Sequence, residues 1–195
     1  MRNSFVMGLC CLLFVGCGTK SLHYKQSNGV SHPYPAPQID AGIKKRYLNA
    51  VNAMRSKGRR CGSKGYYAAV PALVWSDALY SAAYEHSADM STQNRLMHGG
   101  SHTSSDWTAK VQHLARASNF KERIENNGYK QWRKLAQNIA SGMTSLEGTM
   151  QQWRESAHHC VNIMNPSFTA FGMAHTAAKG KNTLDYWTQN FAAYQ

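Results

Sequence analysis

The stretch Phe5–Val15 is apolar and uncharged, preceded by a positive Arg2, and it stops abruptly at Gly16 and Cys17. About eleven residues suit the hydrophobic part of an export signal, whereas a membrane-spanning helix needs roughly 20. No later apolar run is long enough to span a membrane. Residues 1–16 therefore read as a signal peptide. The remainder of the chain has to fold in water, in a compartment where thiols oxidise.

That reading sorts the five cysteines. Cys10 and Cys11 leave with the signal. Gly16-Cys17-Gly18-Thr19 resembles a bacterial lipobox, with Phe14 where Leu is usual, which implies that Cys17 becomes a lipidated first residue carrying palmitate-type chains. A freely secreted form and an uncleaved anchor are the alternatives. Gly18, rather than Asp, resembles the sorting signal for the outer membrane of a Gram-negative cell. Only Cys61 and Cys160 then remain, and two cysteines in an oxidising compartment predict a disulfide. Zinc held by these thiols and the neighbouring histidines is the rival reading.

The full chain carries +12, and loss of Arg2 with the signal leaves +11. The basic residues are scattered, as in Lys44-Lys45-Arg46, Arg59-Arg60 and Arg133-Lys134, and no nucleic-acid motif accompanies them. They predict a solvated basic surface. Its expected partners are anionic envelope polymers or lipid head groups rather than nucleic acid.

Residues 17–37, with Pro33, Pro35 and Pro37, predict an extended tether, and residues 38–195 a single domain. Periodicity places a helix over about 39–57. A second runs to about Gln93 from a Ser76 cap, and its buried stripe includes His86, expected to be a core histidine. Asn119 and Glu122 have capping-box spacing for a helix ending at Gly128. Residues 129–143 read as irregular strand and loop, and Ser145 caps a helix to about Ala157. Residues 168–176 and 185–193 form an antiparallel hairpin, in which Tyr186, Thr188 and Asn190 face opposite to Trp187, Gln189 and Phe191. Helices first and a hairpin last give an α+β class.

Seven segments then line up in order: LNAVNAMRSKGRRCG, PALVWSDALYSAAYEHSADM, LMHGGSHTSSDWTAK, ERIENNGY, LAQNIASG, WRESAHHCVNIMNPSFTAFGMA and YWTQNFA. Together, over residues 43–193, they resemble the CAP superfamily of cysteine-rich secretory, antigen 5 and pathogenesis-related proteins, in its bacterial lipoprotein branch. The resemblance implies an α-β-α sandwich with a small antiparallel sheet between helices. It also implies a shallow cleft where two histidines and two acidic residues converge. Some members bind a divalent metal there, others bind sterols or lipids, and proteolysis has been proposed for a few.

Carried onto this chain, the cleft histidines fall on His98, with His102 as the alternate, and on His159. His158 occupies a position usually held by glycine. The family glutamate of the G-E-N-I-A motif is Gln137 here, and the second acidic position is Ser156, with Glu155 beside it. The change has chemical weight. A carboxylate next to an imidazole holds its tautomer, raises its pKa or takes its proton. A glutamine amide does no proton chemistry, although it accepts and donates hydrogen bonds. It is also a poor zinc ligand, so His98 and His159 would hold zinc only weakly. Asp106 or Glu155 would restore the charge if either pointed inward. The expectation is a ligand-binding or interaction module, and the alternative is a divalent-metal-dependent hydrolase using His98 and His159. Ser156 lacks an acid to orient a neighbouring base, which argues against a serine nucleophile. Asn138 and Asn162 are expected to tie loops, and Trp75, Trp153 and Trp187 to be core or cleft wall.

Overall fold

A computed structural model describes residues 30–180 and 182–194; the signal segment and Cys17 lie outside the described residues. The first helix, α1 (Ala41–Arg55), starts where the Asp40 carboxylate accepts from the backbone amides of Gly42 and Ile43. A two-residue hairpin comes next, β1 (Arg59–Arg60) with β2 (Tyr66–Tyr67), in a stretch expected to be plain loop. It leads to β3 (Val74–Trp75) and α2 (Asp77–Gln93). The Ser76 side chain caps α2, and a left-handed Asn94 ends it. A short helix, α3 (Trp107–Val111), sits in the loop beyond α2. The capping box on Asn119 and Glu122 is fully formed at α4 (Phe120–Asn126).

The stretch read as irregular strand is a ten-residue strand, β4 (Trp132–Ser141), with one register shift between Trp132 and Lys134. The next helix is interrupted. Ser145 caps α5 (Leu146–Glu155), Ser156 is extended at φ −80° and ψ 118°, and α6 (Ala157–Ile163) starts anew. The chain closes with β5 (Ala170–Thr176) and β6 (Tyr186–Tyr194), the expected antiparallel hairpin.

The main sheet has the order β3-β5-β6-β4. β3 runs parallel to β5, so the sheet is mixed rather than purely antiparallel. Alternation along β6 fixes what each face buries. Trp187 and Phe191 join Val51 and Met54 of α1, Trp153 of α5, Ile163 of α6 and Phe171 of β5 in the larger core. On the other face, Ala192 and Ala170 meet Leu79 and Ala82 of α2 and Ile124 of α4. The result is an α-β-α sandwich.

Two long-range ties hold the α1–α6 side. Cys61 and Cys160 form the expected disulfide, with Cα atoms 5.4 Å apart across a separation of 99 residues. Both thiols are used, which removes the reading in which they bind zinc. The chain-entropy account assigns such a loop about 4.7 kcal/mol. Arg55 is buried with its guanidinium donating to the carbonyls of Pro71, Ile163, Asn165 and Phe168 at 2.6–3.3 Å. A buried cation is tolerable because acceptors surround it. Desolvation still lowers its pKa to about 10, so it remains charged at neutral pH.

The end of the expected tether is extended, but it is not a free spacer. The backbone amides of His32 and Tyr34 donate to the Asn126 and Asn127 side chains, and the Trp107 indole donates to the His32 carbonyl at 2.8 Å. The Tyr34 ring stands edge-on to Trp107. Residues 30–34 are thus strapped to α3 and α4, and the Tyr80 hydroxyl of α2 donates to the Pro37 carbonyl.

One close approach sets the spacing between α2 and the sheet. A Cβ at Gly172 would lie 2.2 Å from the Tyr80 backbone nitrogen, so only glycine fits there. Gly172→Ala should lower the unfolding free energy by about 1–3 kcal/mol through overpacking, seen as an earlier urea midpoint at unchanged slope. An unshifted midpoint would mean that α2 and β5 can separate without cost.

Candidate functional site

Since β4 is an edge strand, helices from both faces of the sheet can bring side chains to its outer rim. Gln137 and Asn138, adjacent on β4, point to opposite faces and lie opposite Asn190 and Gln189 of β6. All four amides are buried. On the α2 face, Gln137 Oε1 lies 3.1 Å from His98 Nδ1, and Gln137 Nε2 donates to Asn190 Oδ1 at 3.2 Å. Asn190 Nδ2 in turn donates to the Leu79 carbonyl. On the α6 face, Asn138 Nδ2 donates to the His159 carbonyl and to Gln189, while Asn162 donates to Asn138 Oδ1 at 2.8 Å.

His98 is exposed, and its backbone is pinned from beneath. The buried Arg123 donates to the His98 carbonyl at 2.6 Å and to the Ser118 carbonyl and hydroxyl. One residue earlier, the Met97 carbonyl is 2.7 Å from His86 Nε2. His86 is the fully buried core histidine expected from the α2 stripe, and burial holds its pKa well below the usual imidazole value.

His159 is half-buried and its pKa is lowered, first by desolvation and then by the charges of His98 and His158. These effects favour a neutral His159. The His159 Nδ1 is buried and has no hydrogen-bond partner among the described residues.

The alternates His102, His158 and Glu155 are all exposed. His102 is exposed on a left-handed turn at φ 57°, where its backbone amide donates to Asp106. His158 is exposed on α6. Glu155 is exposed at the end of α5, accepting from Gln151 at 2.9 Å, and no hydrogen bond among the described residues joins it to His98 or His159. Ser156 is partly buried at the α5–α6 break, an extended residue and not a helical neighbour of Glu155.

Asp106 is also diverted. Its carboxylate is buried and accepts from the backbone amides of His102, Ala109 and Ser118 and from the Ser118 hydroxyl. Burial acts to raise its pKa, but these hydrogen bonds outweigh it and the net shift is downward. Asp106 is a brace for the His98 loop. Sequence reasoning passed over Arg123 and Asn190. The capping-box segment contained Arg123 without revealing its burial, whereas the position of Asn190 opposite Gln137 follows only once the strand register is known.

Zinc fits this donor set poorly. Tight sites use three or four good ligands, whereas the residues that the family resemblance carries to this cleft are two imidazoles, an amide and a hydroxyl. Among the described residues no group of three or more His, Cys, Asp or Glu side chains could hold a metal ion.

The profile of the cysteine-rich secretory protein family matches residues 48–191. Among solved structures, an outer surface protein from Borrelia burgdorferi is similar, with a TM-score of 0.58 at 14% identity, over 85% of this chain and 100% of that one. An extracellular protein containing a SCP domain from Bacillus anthracis gives 0.55 at 20% identity, over 81% of this chain and 45% of that one. This chain thus spans less than half of the Bacillus protein. A search of curated proteins gave no match. At these identities the structural likeness speaks for the fold, and the sequence profile, covering well over half of the chain, speaks for descent. The chain belongs to the cysteine-rich secretory protein (CAP) family.

Proposed function

We propose that this protein is an exported lipoprotein, held on the cell envelope through Cys17, whose CAP cleft binds a ligand without transforming it. The observation that carries the reading is Gln137. Its amide occupies the hydrogen-bonding place beside His98 where the family glutamate would supply a base. General acid–base chemistry needs a group that exchanges a proton near working pH, and an amide does not. With Glu155 exposed and Asp106 committed to the His98 loop, neither provides a carboxylate at this rim.

The anchor and the charge support the place of action. An excess of basic residues favours contact with anionic envelope polymers or head groups. The ligand would be a lipid, a cell-wall fragment or a segment of a partner protein. From residue 30 onward the chain is held against α3 and α4, so these residues add no free length to the proposed spacer.

Two measurements test the two halves of the proposal. Mass spectrometry of the N-terminal peptide from cells should find an acylated Cys17, and Cys17→Ala should release the protein from the membrane fraction. A mature chain that keeps residues 1–16, or one whose Cys17 bears no lipid, would contradict the anchor. Calorimetric titration of zinc into the dialysed full-length protein should give no saturation below millimolar concentration, and peptide hydrolysis should be indistinguishable from that of the His98→Ala/His159→Ala variant. Micromolar zinc binding lost in that variant, with metal-dependent turnover, would contradict the non-catalytic reading.

A further inference from the structure

The hydrogen-bond chain behind His98 has a definite direction. A backbone carbonyl can only accept, so the Asn190 side-chain atom 3.2 Å from the Leu79 carbonyl must be its NH2 group. Asn190 Oδ1 then faces Gln137 and must accept, which turns the Gln137 NH2 group towards it at 3.2 Å. That leaves Gln137 Oε1 towards the imidazole, 3.1 Å from His98 Nδ1. An amide oxygen has no proton to give, so His98 Nδ1 must carry one. Each step rests on the one before, starting at an acceptor that cannot reverse.

We propose that Asn190 is a positioning residue that, through Gln137, locks neutral His98 in the Nδ1–H form and presents a bare Nε2 lone pair to the cleft. On the reading that this cleft is a binding site, the group it recognises at His98 is a hydrogen-bond donor, such as a hydroxyl, an amide N–H or an ammonium. A carboxylate or phosphate oxygen would meet a lone pair there and be disfavoured. Glutamine thus does the orienting part of the work of a carboxylate while withholding its charge. A carboxylate accepts at both oxygens and needs no directing partner. A glutamine can be turned either way, so its use at this position requires Asn190, which is buried and in register opposite it.

The test is long-range 15N–1H correlation NMR on full-length protein labelled at histidine, with His98 assigned by loss of its signals in His98→Gln. Under conditions where the His98 ring is neutral, the wild type should show a protonated Nδ1 and a bare Nε2. A wild type with the proton on Nε2 overturns the proposal without recourse to any variant. Asn190→Leu removes the directing acceptor and should lose the single-tautomer pattern, gaining the Nε2–H form. Retention of the wild-type pattern in a folded Asn190→Leu would also overturn it. Asn190→Asp keeps an acceptor towards Gln137 and should retain the Nδ1–H pattern, which a merely structural role for Asn190 does not predict; the Leu-type pattern in a folded Asn190→Asp counts against the relay. These readouts need no ligand. An Nδ1–H tautomer in a protein that binds nothing would leave the relay standing and count only against the binding function.

Discussion

Four buried amides facing one another across β4 and β6 set how this domain can be built. A buried polar group without a partner costs about 1–3 kcal/mol, so Gln137, Asn190, Asn138 and Gln189 must find partners on their own face of the sheet. The antiparallel register places them in two opposed pairs. A one-residue slip would send every side chain to the other face. It would put Phe191 where Asn190 now bonds the Leu79 carbonyl, and strand that amide in the hydrophobic layer. The same pairs reach outward to the cleft, one to the His98 side chain and the other to the His159 backbone. Strand register and cleft geometry are therefore one constraint.

Around this block, buried charge fixes the loops. Glu85, Asp106 and Arg123 are buried together beneath the segment that carries His98. Glu85 accepts from the Thr108 amide and the Asn127 side chain, and desolvation raises its pKa. Arg123, whose pKa desolvation lowers, spends its donors on Ser118 and His98. Asp89 similarly gathers Ser101 and Ser105. Removing one member of such a group would leave an uncompensated buried charge, which typically costs about 3–5 kcal/mol. The long polar loop between α2 and α4 is ordered from inside, and His98 is held at its rim.

Much of this was legible in the sequence because the signals are local. The caps at Ser76, Asn119 and Ser145 mark real helix starts, and alternation along YWTQNFA sorts β6 correctly between the two cores. The family motifs led to Gln137 beside His98. Other features depend on distant partners and leave no local trace. The parallel pairing of β3 is decided by β5, nearly a hundred residues later. The helix expected to end near Ala157 does stop at Glu155, but no local signal marks the second helix, α6, that starts directly beyond Ser156. Pro33 and Pro35 do signal extended chain, but nothing in them reveals that Asn126 and Asn127 bind the segment's backbone. Asp106 looked available to the cleft because sequence shows the carboxylate and hides the Ser118 donors.

On the proposed reading, glutamine orients His98 without offering proton chemistry, and a buried asparagine fixes which way its amide turns. Neutron diffraction from deuterium-exchanged crystals at neutral pH would test this most directly, because it sees every donor in the chain at once. The account predicts deuterium on His98 Nδ1 and none on Nε2, with the deuterated Gln137 amide nitrogen towards Asn190 Oδ1 and the deuterated Asn190 amide nitrogen towards the Leu79 carbonyl. Deuterium on His98 Nε2 with a bare Nδ1, accepting from a Gln137 amide turned the other way, would contradict it.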